Sequence, residues 1–324
     1  MNFVKSALTA RMTLVALMAC ALSAPLQAAG LDDYKTLQLP EAPRAQAGTG
    51  KVSVLFLGVT TLLFEDGETA LMTDGYLTRP ADIQKTKVQP DPALIGKFLA
   101  RAGVQKLAAV MTVHSHFDHA LDSPRVAQDT GALLVGSEST ANIGRGQGLP
   151  ESAIKVVKGG DSLSFGKFKV SFVKSAHLPA QFALGDITAP LKFPAAVTDM
   201  KVGDALSILI AHENGGSYLI QGSAGYVPGA LAGKKADVVF LGAGGLGAKD
   251  DAYVDAYWKE NVQAVGAKRF IPVHWDNFYL PLDVALVPAP GFDKTMDSLL
   301  ARGKRDGVEV RLQTVWRWVD PSAK

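Results

Sequence analysis

The chain is almost free of cysteine. Its single thiol, Cys20, falls within the first 30 residues. Past that point no disulfide can form, and no thiolate can ligate a metal or attack a substrate. Export to an oxidising compartment is still compatible with this, because a chain of this size needs no disulfide staples. Charge of one sign is also missing. Without Lys5 and Arg11 of the N-terminal segment, the 33 basic residues become 31, against 31 acidic ones, and no block of five or more like charges appears. A near-zero balance without a basic stripe argues against nucleic acid as a partner. After the N-terminal segment no apolar run is long enough to span a bilayer. Histidine is scarce too, six in 324 residues. With 48% hydrophobic residues, the chain has ample material for a large core.

The N-terminal segment reads as a secretory signal peptide over residues 1–28. Lys5 and Arg11 give the positive region, MTLVALMACALSA the apolar stretch, and PLQAAG a small-residue cleavage site. The expectation is a periplasmic or secreted protein. A second reading treats Leu17-Met18-Ala19-Cys20 as a lipoprotein signal with Cys20 lipidated. Met18 fits that pattern poorly, and the apolar run continues past the cysteine. Residues 29–50, polar and rich in Ala, Pro and Gly, are expected to form a surface-lying lead. Residues 51–324 then form one domain.

Within that domain, KVSVLFLG, TTLLFEDG and TALMTDG (51–75) predict strands joined by an Asp-Gly hairpin turn. PALIGKFLARAG (92–103) has helical spacing and ends in glycine. LAAVMTV (107–113) is a continuous apolar run typical of a buried strand. Helices are predicted at SPRVAQDTG, ESTANIGRG, 251–266 and 293–302. Further strands are predicted at LLVG, SLSFG, KFKVSFVKS, LSILIAHENGGSYLIQG, ADVVFLG, RFIPVHWD, VEVRL and VWRWV. Two β-rich halves with helices outside fit a four-layer αββα sandwich, an α/β fold.

The scarce histidines are concentrated. MTVHSHFDHALD (111–122) places His114, His116, Asp118 and His119 within six positions, directly after the buried strand. Imidazole and carboxylate suit a borderline divalent metal, and a loop leaving a sheet can converge several short side chains on one point. His177 ends FVKSAH and His274 ends RFIPVH. The reading is His114, His116 and His177 for one ion, and Asp118, His119 and His274 for a second. Each triad leaves a position for a shared hydroxide and for substrate. Five imidazoles to one carboxylate favour Zn2+ over Mn2+ or Fe2+. His212, beside the Glu213-Asn214-Gly215 turn, receives no role.

On these residues the chain resembles the metallo-β-lactamase superfamily of hydrolases, over roughly residues 51–275. FLGVTTLLFEDGETALMTDGYLTRP resembles the opening hairpin of the branch that holds ascorbate-6-phosphate lactonase-like and related hydrolases. HSHFDH resembles the family's metal motif, GDSLSFGKFKVSFVKSAH the stretch ending in its third histidine, and GAKRFIPVHW the segment carrying the last. The resemblance implies the αββα sandwich with metals at one edge. It implies a role for Asp74 in orienting a ligand, where the residues alone read equally as a turn aspartate before Gly75. One departure matters. The family usually has an aspartate that bridges both metals, and here the matching position in YLIQGSAGY is Ser223. Either a hydroxide alone bridges the ions, or the second site is weak and the protein works with one. Ser223 could still orient the nucleophile or the substrate.

Two other motifs are set aside. QGSAG (221–225) lacks the first glycine of a nucleophile elbow. GAGGLG (242–247) follows a strand but lies in the wrong unit for a dinucleotide fold, and reads as a close-packed loop near the metal edge. The expected activity is metal-dependent hydrolysis of an ester, lactone or amide by a zinc-bound hydroxide, with Asp118 orienting it and passing a proton to the leaving group. Phosphodiester hydrolysis is the alternative within enzymes, and a non-catalytic metal- or ligand-binding protein the alternative outside them. The long loops after His177 and His274 carry Phe182, Phe193, Trp275, Phe278 and Tyr279, expected to line a pocket for a small molecule with an apolar portion. Tyr226 and Arg79 are weaker candidates for polar contacts.

Overall fold

In the computed structural model, which describes residues 30–80, 87–179 and 182–323, the apolar runs pair into two seven-stranded sheets. The expected signal segment lies outside the described residues. The first sheet contains β1 (Ser53–Phe56), β2 (Leu62–Glu65), β3 (Ala70–Thr73), β4 (Ala109–Met111), β5 (Leu133–Gly136) and β6 (Ile154–Val156). The second contains β7 (Ser162–Phe165), β8 (Phe168–Lys174), β9 (Leu206–His212), β10 (Gly216–Gln221), β11 (Val238–Gly242), β12 (Arg269–Val273) and β13 (Glu309–Val310). The last strand, β14 (Trp318–Val319), returns to pair with β1. Their orders are β14-β1-β2-β3-β4-β5-β6 and β13-β12-β11-β10-β9-β8-β7. Each half begins antiparallel and turns parallel, at β3–β4 in the first and β10–β11 in the second.

β11 and β12 are buried along their whole length. That burial on both faces explains why these segments read as unbroken apolar runs. Between the sheets, Phe64 packs on Tyr218 and Phe240 with ring centroids 5.5 and 5.6 Å apart. Helices cover the outside. They are α1 (Pro92–Arg101), α2 (Phe117–Ala120), α3 (Ser123–Thr130), α4 (Glu138–Gly146), α5 (Asp251–Trp258) and α6 (Phe292–Asp306). Their starts follow local chemistry. Asp91 caps α1 by accepting from the amides of Ala93 and Leu94 at 2.9 and 3.1 Å, ahead of Pro92. Among the described residues no helix is long and apolar enough to cross a membrane.

Several local expectations change. The helix expected over 251–266 is α-helical only through Trp258 and continues as a π-turn, Lys259–Gln263. VEVRL and VWRWV keep two strand residues each, and β6 was not foreseen. The lead is fastened to the domain. Tyr34 is buried against Phe292 at 5.4 Å, and the Leu39 amide donates to the Leu312 carbonyl at 2.9 Å.

β9 runs from the Val113 carbonyl, which its Leu206 amide meets at 2.7 Å, to His212 at the opposite edge. There His212 is buried, with Nε2 3.1 Å from Asp66. The Asp66 carboxylate also accepts from the amides of Glu68 and Thr69 at 2.8 and 2.7 Å. Burial alone would raise the Asp66 pKa, but these donors outweigh it and hold it below the usual carboxylate value. A depressed folded-state pKa gives stability that is present above the unfolded value and lost as pH falls through the folded one. Asp66→Ala should therefore cost about 2 kcal/mol at neutral pH. The gap to wild type should narrow below about pH 4. Urea midpoints of both proteins at pH 7 and pH 3 check this, and an equal gap at both pH values would refute it.

Candidate metal centre

The site grows from the ends of strands in both sheets. At the end of β3, Asp74 takes a left-handed backbone conformation, φ +48°. Its amide donates to the Met111 carbonyl at 2.8 Å, and its Oδ1 accepts from the Val113 amide at 2.9 Å. Asp74 thus ties β3 to the outgoing end of β4. The chain then turns, and His116 starts the single turn of α2, which brings Asp118 and His119 back toward His114. Phe117 points elsewhere, its ring 5.8 Å from that of Tyr76 in a small apolar cluster. The chain beyond β8 supplies His177, and the end of β12 supplies His274. All six candidate ligands lie where strands leave the sheets, the edge at which open α/β sheets place their sites.

Two clusters result. His114, His116 and His177 bring one ligand atom each to within 4.8 Å of one another, as do Asp118, His119 and His274. The first three rings have centroids 4.7 to 5.0 Å apart. His119 and His274 are 5.2 Å apart, and Asp118 Oδ2 lies 3.5 Å from His119 Nε2 and 3.2 Å from His274 Nε2.

Hydrogen bonds assign the free nitrogen on three of the rings. His119 Nδ1 donates to Asp74 Oδ2 at 2.7 Å, leaving Nε2 toward Asp118. Thr60 Oγ1 donates to the same carboxylate oxygen and lies 3.0 Å from His119 Nδ1. His177 Nδ1 donates to the Leu178 carbonyl at 2.7 Å, which leaves Nε2. His116 Nε2 donates to the Ala183 carbonyl at 3.3 Å, which leaves Nδ1. His114 Nε2 and His119 Nε2 are buried and have no hydrogen-bond partner among the described residues. A buried lone pair without a partner is costly in a protein interior and is what a metal ligand needs.

The electrostatics agree with the donor chemistry. Burial, then the neighbouring imidazoles, push His114 well below its ordinary pKa. The same two causes bring His177 down to about 4, and burial lowers His116 against the opposing pull of Asp118. The first triad is therefore neutral imidazole at neutral pH, the form that binds metal. In the second triad, burial opposes both charges. Even so, His119 and His274 hold Asp118 well below the carboxylate range, and Asp118 and Asp74 raise His119. The residues fit one divalent cation per triad, held by His114, His116 and His177 and by Asp118, His119 and His274.

The His274 backbone is also left-handed, φ +55°, and its amide donates to the Val59 carbonyl at 2.7 Å. Gly244 packs directly against it. A Cβ there would sit 2.9 Å from the His274 carbonyl oxygen and 3.0 Å from Nδ1. Gly244 of GAGGLG thus serves close approach to a ligand loop. Below lies a pair not expected from the sequence. Arg79 Nη2 donates to Asp276 Oδ2 at 2.8 Å with both side chains fully buried, and Asp276 Oδ1 accepts from the Val59 amide at 2.7 Å.

A cavity of about 390 Å³ opens over the triads, lined by His116, Asp118, His177, His274, Ser223, Phe182, Phe278 and Tyr279 among others. A larger one, about 470 Å³, opens between Lys51, Asn214 and Arg269. No ligating cluster is found there among the described residues, so chemistry and not size picks the site. Phe182 stands edge-on to His116 at 5.7 Å, and Phe278 lies 5.3 Å from His274 with Tyr279 against it at 4.5 Å.

Other candidates lie elsewhere. Trp275 turns into the main core between Phe56 and Phe292, where burying its indole costs less than facing water, and it does not line the cavity. Phe193 packs beside the small cluster around Tyr76 and Val59 and does not line it either. Tyr226 stacks on Tyr253 at 5.5 Å. Arg79 is held beneath the site by Asp276. Ser223 lines the cavity, and its Oγ accepts from the Leu178 amide at 3.0 Å, fixing the residue next to His177. Sequence reasoning missed Thr60, Asp276 and the carbonyls of Leu178 and Ala183. Only the position of Asp276, two residues after His274, offered a signal.

No family model matches the chain. It is 26% identical over 126 residues to a UPF0173 metal-dependent hydrolase of Christiangramia forsetii, covering 39% of this chain and 49% of that protein. It is 28% identical over 127 residues to another from Desulforamulus reducens, covering 39% and 47%. The chain thus spans about half the length of the curated relatives it matches. The crystal structure of an isothiocyanate hydrolase from Delia radicum gut bacteria superposes with a TM-score of 0.52 at 17% identity, covering 84% of this chain and all of that one. The two mixed sheets between helices are the fold of that solved hydrolase, and they agree with the αββα sandwich that the sequence resemblance implies, with the His-x-His-x-Asp-His turn and two further histidines at one sheet edge.

Proposed function

We propose that the protein is an exported, zinc-dependent hydrolase of a neutral ester, lactone or amide with an apolar portion. One observation carries this reading. Two three-ligand clusters face a cavity whose described lining includes no lysine or arginine. Ions bound there would supply Lewis acidity toward the scissile carbonyl and a nucleophile drawn from water. The chain's own groups do the rest. Asp118, kept ionised, accepts the proton of the attacking water at its carboxylate and returns it to the leaving group. Ser223 receives the Leu178 amide at Oγ, so its own hydroxyl hydrogen is left to donate toward a developing oxyanion. Phe182, Phe278 and Tyr279 exclude water and take the apolar portion. Phosphodiester hydrolysis is the second reading, since a pair of ions can clamp a phosphoryl group, but the described lining adds no Arg or Lys to them. A purely structural metal site would need no cavity open above both clusters.

The test is metal content per chain on protein purified without added metal, beside hydrolysis of a lactone, an aryl ester, a β-lactam and a phosphodiester before and after chelation. Two ions and carbonyl hydrolysis lost on chelation are expected, and zinc restoring it best supports the choice of ion. One ion would mean that Ser223, in place of a bridging aspartate, leaves a mononuclear site. No metal would sink the reading.

A further inference from the structure

Large exposed apolar side chains are few in this protein, and they are not scattered. Among the described residues they are Val156, Phe182, Leu184, Tyr279, Val284 and Val287, each 39 to 52% exposed. Five of these six lie on the two segments that border the cavity, 178–205 and 275–291. Single exposed apolar residues need no explanation, but a concentration at one place does.

Both segments are fastened to the metal site, so the apolar side chains are held in place. Ala183, between Phe182 and Leu184, accepts from His116 Nε2 through its carbonyl and receives the Val202 amide at 2.8 Å on the same oxygen. Its backbone is left-handed, φ +43°, a conformation that an alanine keeps only when its surroundings impose it. On the other side, the Asn277 amide donates to the Val287 carbonyl at 2.7 Å and the Ala289 amide to the Trp275 carbonyl at 2.8 Å. That short ribbon starts one residue after His274 and holds Val287 beside the turn that carries Phe278 and Tyr279. Tyr76 Oη donates to the Phe278 carbonyl at 3.3 Å.

We propose, resting on the hydrolase reading above, that these side chains continue the cavity outward as an apolar rim. The rim would bind an aliphatic chain longer than the cavity itself holds, so the substrate class is long-chain acyl or alkyl esters, lactones or amides. Leu184 and Val287 are then residues that set chain-length preference. The argument for this occupant is the continuity of the rim with a cavity whose described lining includes no lysine or arginine. A charged or sugar-like substrate would leave Phe182 and Tyr279, which line the cavity, and Leu184 and Val287 on the same two segments, in water.

The experiment compares kcat/KM for p-nitrophenyl acetate, butanoate, octanoate and dodecanoate. In the wild type the value should climb with chain length, by a factor of roughly four per methylene while the chain is being buried. A Leu184→Ser/Val287→Ser double variant should lower the dodecanoate-to-acetate ratio by on the order of tenfold through KM. A flat wild-type series, or an unchanged ratio in the double variant, overturns the proposal. Should no ester be hydrolysed at all, the hydrolase reading fails and the rim is read without catalysis. The neutral dye N-phenyl-1-naphthylamine should then bind the wild type at least several-fold more tightly than the double variant, in the presence of chelator. Equal binding overturns the rim. A wild-type dimer in sedimentation velocity that the double variant abolishes would assign these side chains to a contact between copies and overturn it too. Co-sedimentation with phosphatidylcholine vesicles that the same variant abolishes would assign them to a membrane surface instead.

Discussion

His116→Ala should leave the chain one ion short and lower its hydrolytic rate by about 10³-fold or more, the equivalent of the several kcal/mol that a metal supplies to a developing charge. The effect on folding should be small unless metal is present. In the chain alone, His114, His116 and His177 are buried imidazoles whose pKa values are lowered chiefly by that burial. Being neutral, they do not repel one another, and removing His116 costs only the 3.3 Å bond to Ala183. A bound ion reverses the balance, because whatever binds the folded state alone stabilises it by RT ln(1 + [L]/Kd). Chelated wild type and chelated variant should therefore melt at nearly the same temperature, and added zinc should raise the first well above the second. His212→Ala is the control. Its ring sits at the opposite edge with Asp66, so metal content and rate should match wild type. Full metal content and undiminished rate in His116→Ala would mean that the cluster is not the working site.

Much of this could be read from the chain because the informative residues are either adjacent or rare. His114, His116, Asp118 and His119 sit within one turn, so their convergence needs only a strand end and a tight bend. His177 and His274 stood out because few histidines exist and both close apolar strand runs. The doubly buried strands β11 and β12 were legible for a similar reason, since nothing but sheet interior accommodates VVFLG and FIPV. What was not legible depends on which way a side chain turns and on pairs distant in sequence. Trp275 and Phe278 lie on one loop and have similar chemistry. Only the packing of Phe56 and Phe292 sends the first into the core, while Tyr76 holds the second at the cavity by its carbonyl. Thr60, in the β1–β2 turn, meets Asp74 beyond the β2–β3 hairpin, and Arg79 meets Asp276 across 197 positions, so neither pairing has a local signature.

Asp276→Ala should be the most destabilising single change near the site. It strands a guanidinium that cannot lose its charge and cannot reach water. Arg79 Nε and Nη1 are already buried without partners among the described residues, so Asp276 supplies its charge balance alone there. The guanidinium packs directly on Gly58, φ +90°, where an added Cβ would lie 1.9 Å from Nη2. Breaking a buried pair on one side costs about 3–5 kcal/mol. The Val59 amide also loses its acceptor, and Val59 is the residue whose carbonyl holds the His274 amide. The damage should therefore reach the second triad, weakening its ion by roughly 10–100-fold, as loss of a ligand's supporting contacts typically does. Arg79→Met/Asp276→Leu separates the two effects. Removing both charges is often close to neutral for folding, so the double variant should regain most of the lost stability in urea. Its second ion should stay weak, because the Val59 amide still has no acceptor. A single variant that loses less than about 1 kcal/mol would place the pair in water-accessible surroundings. A double variant that recovers metal affinity along with stability would show that charge balance, and not the hold on Val59 and His274, is what Asp276 contributes to the site.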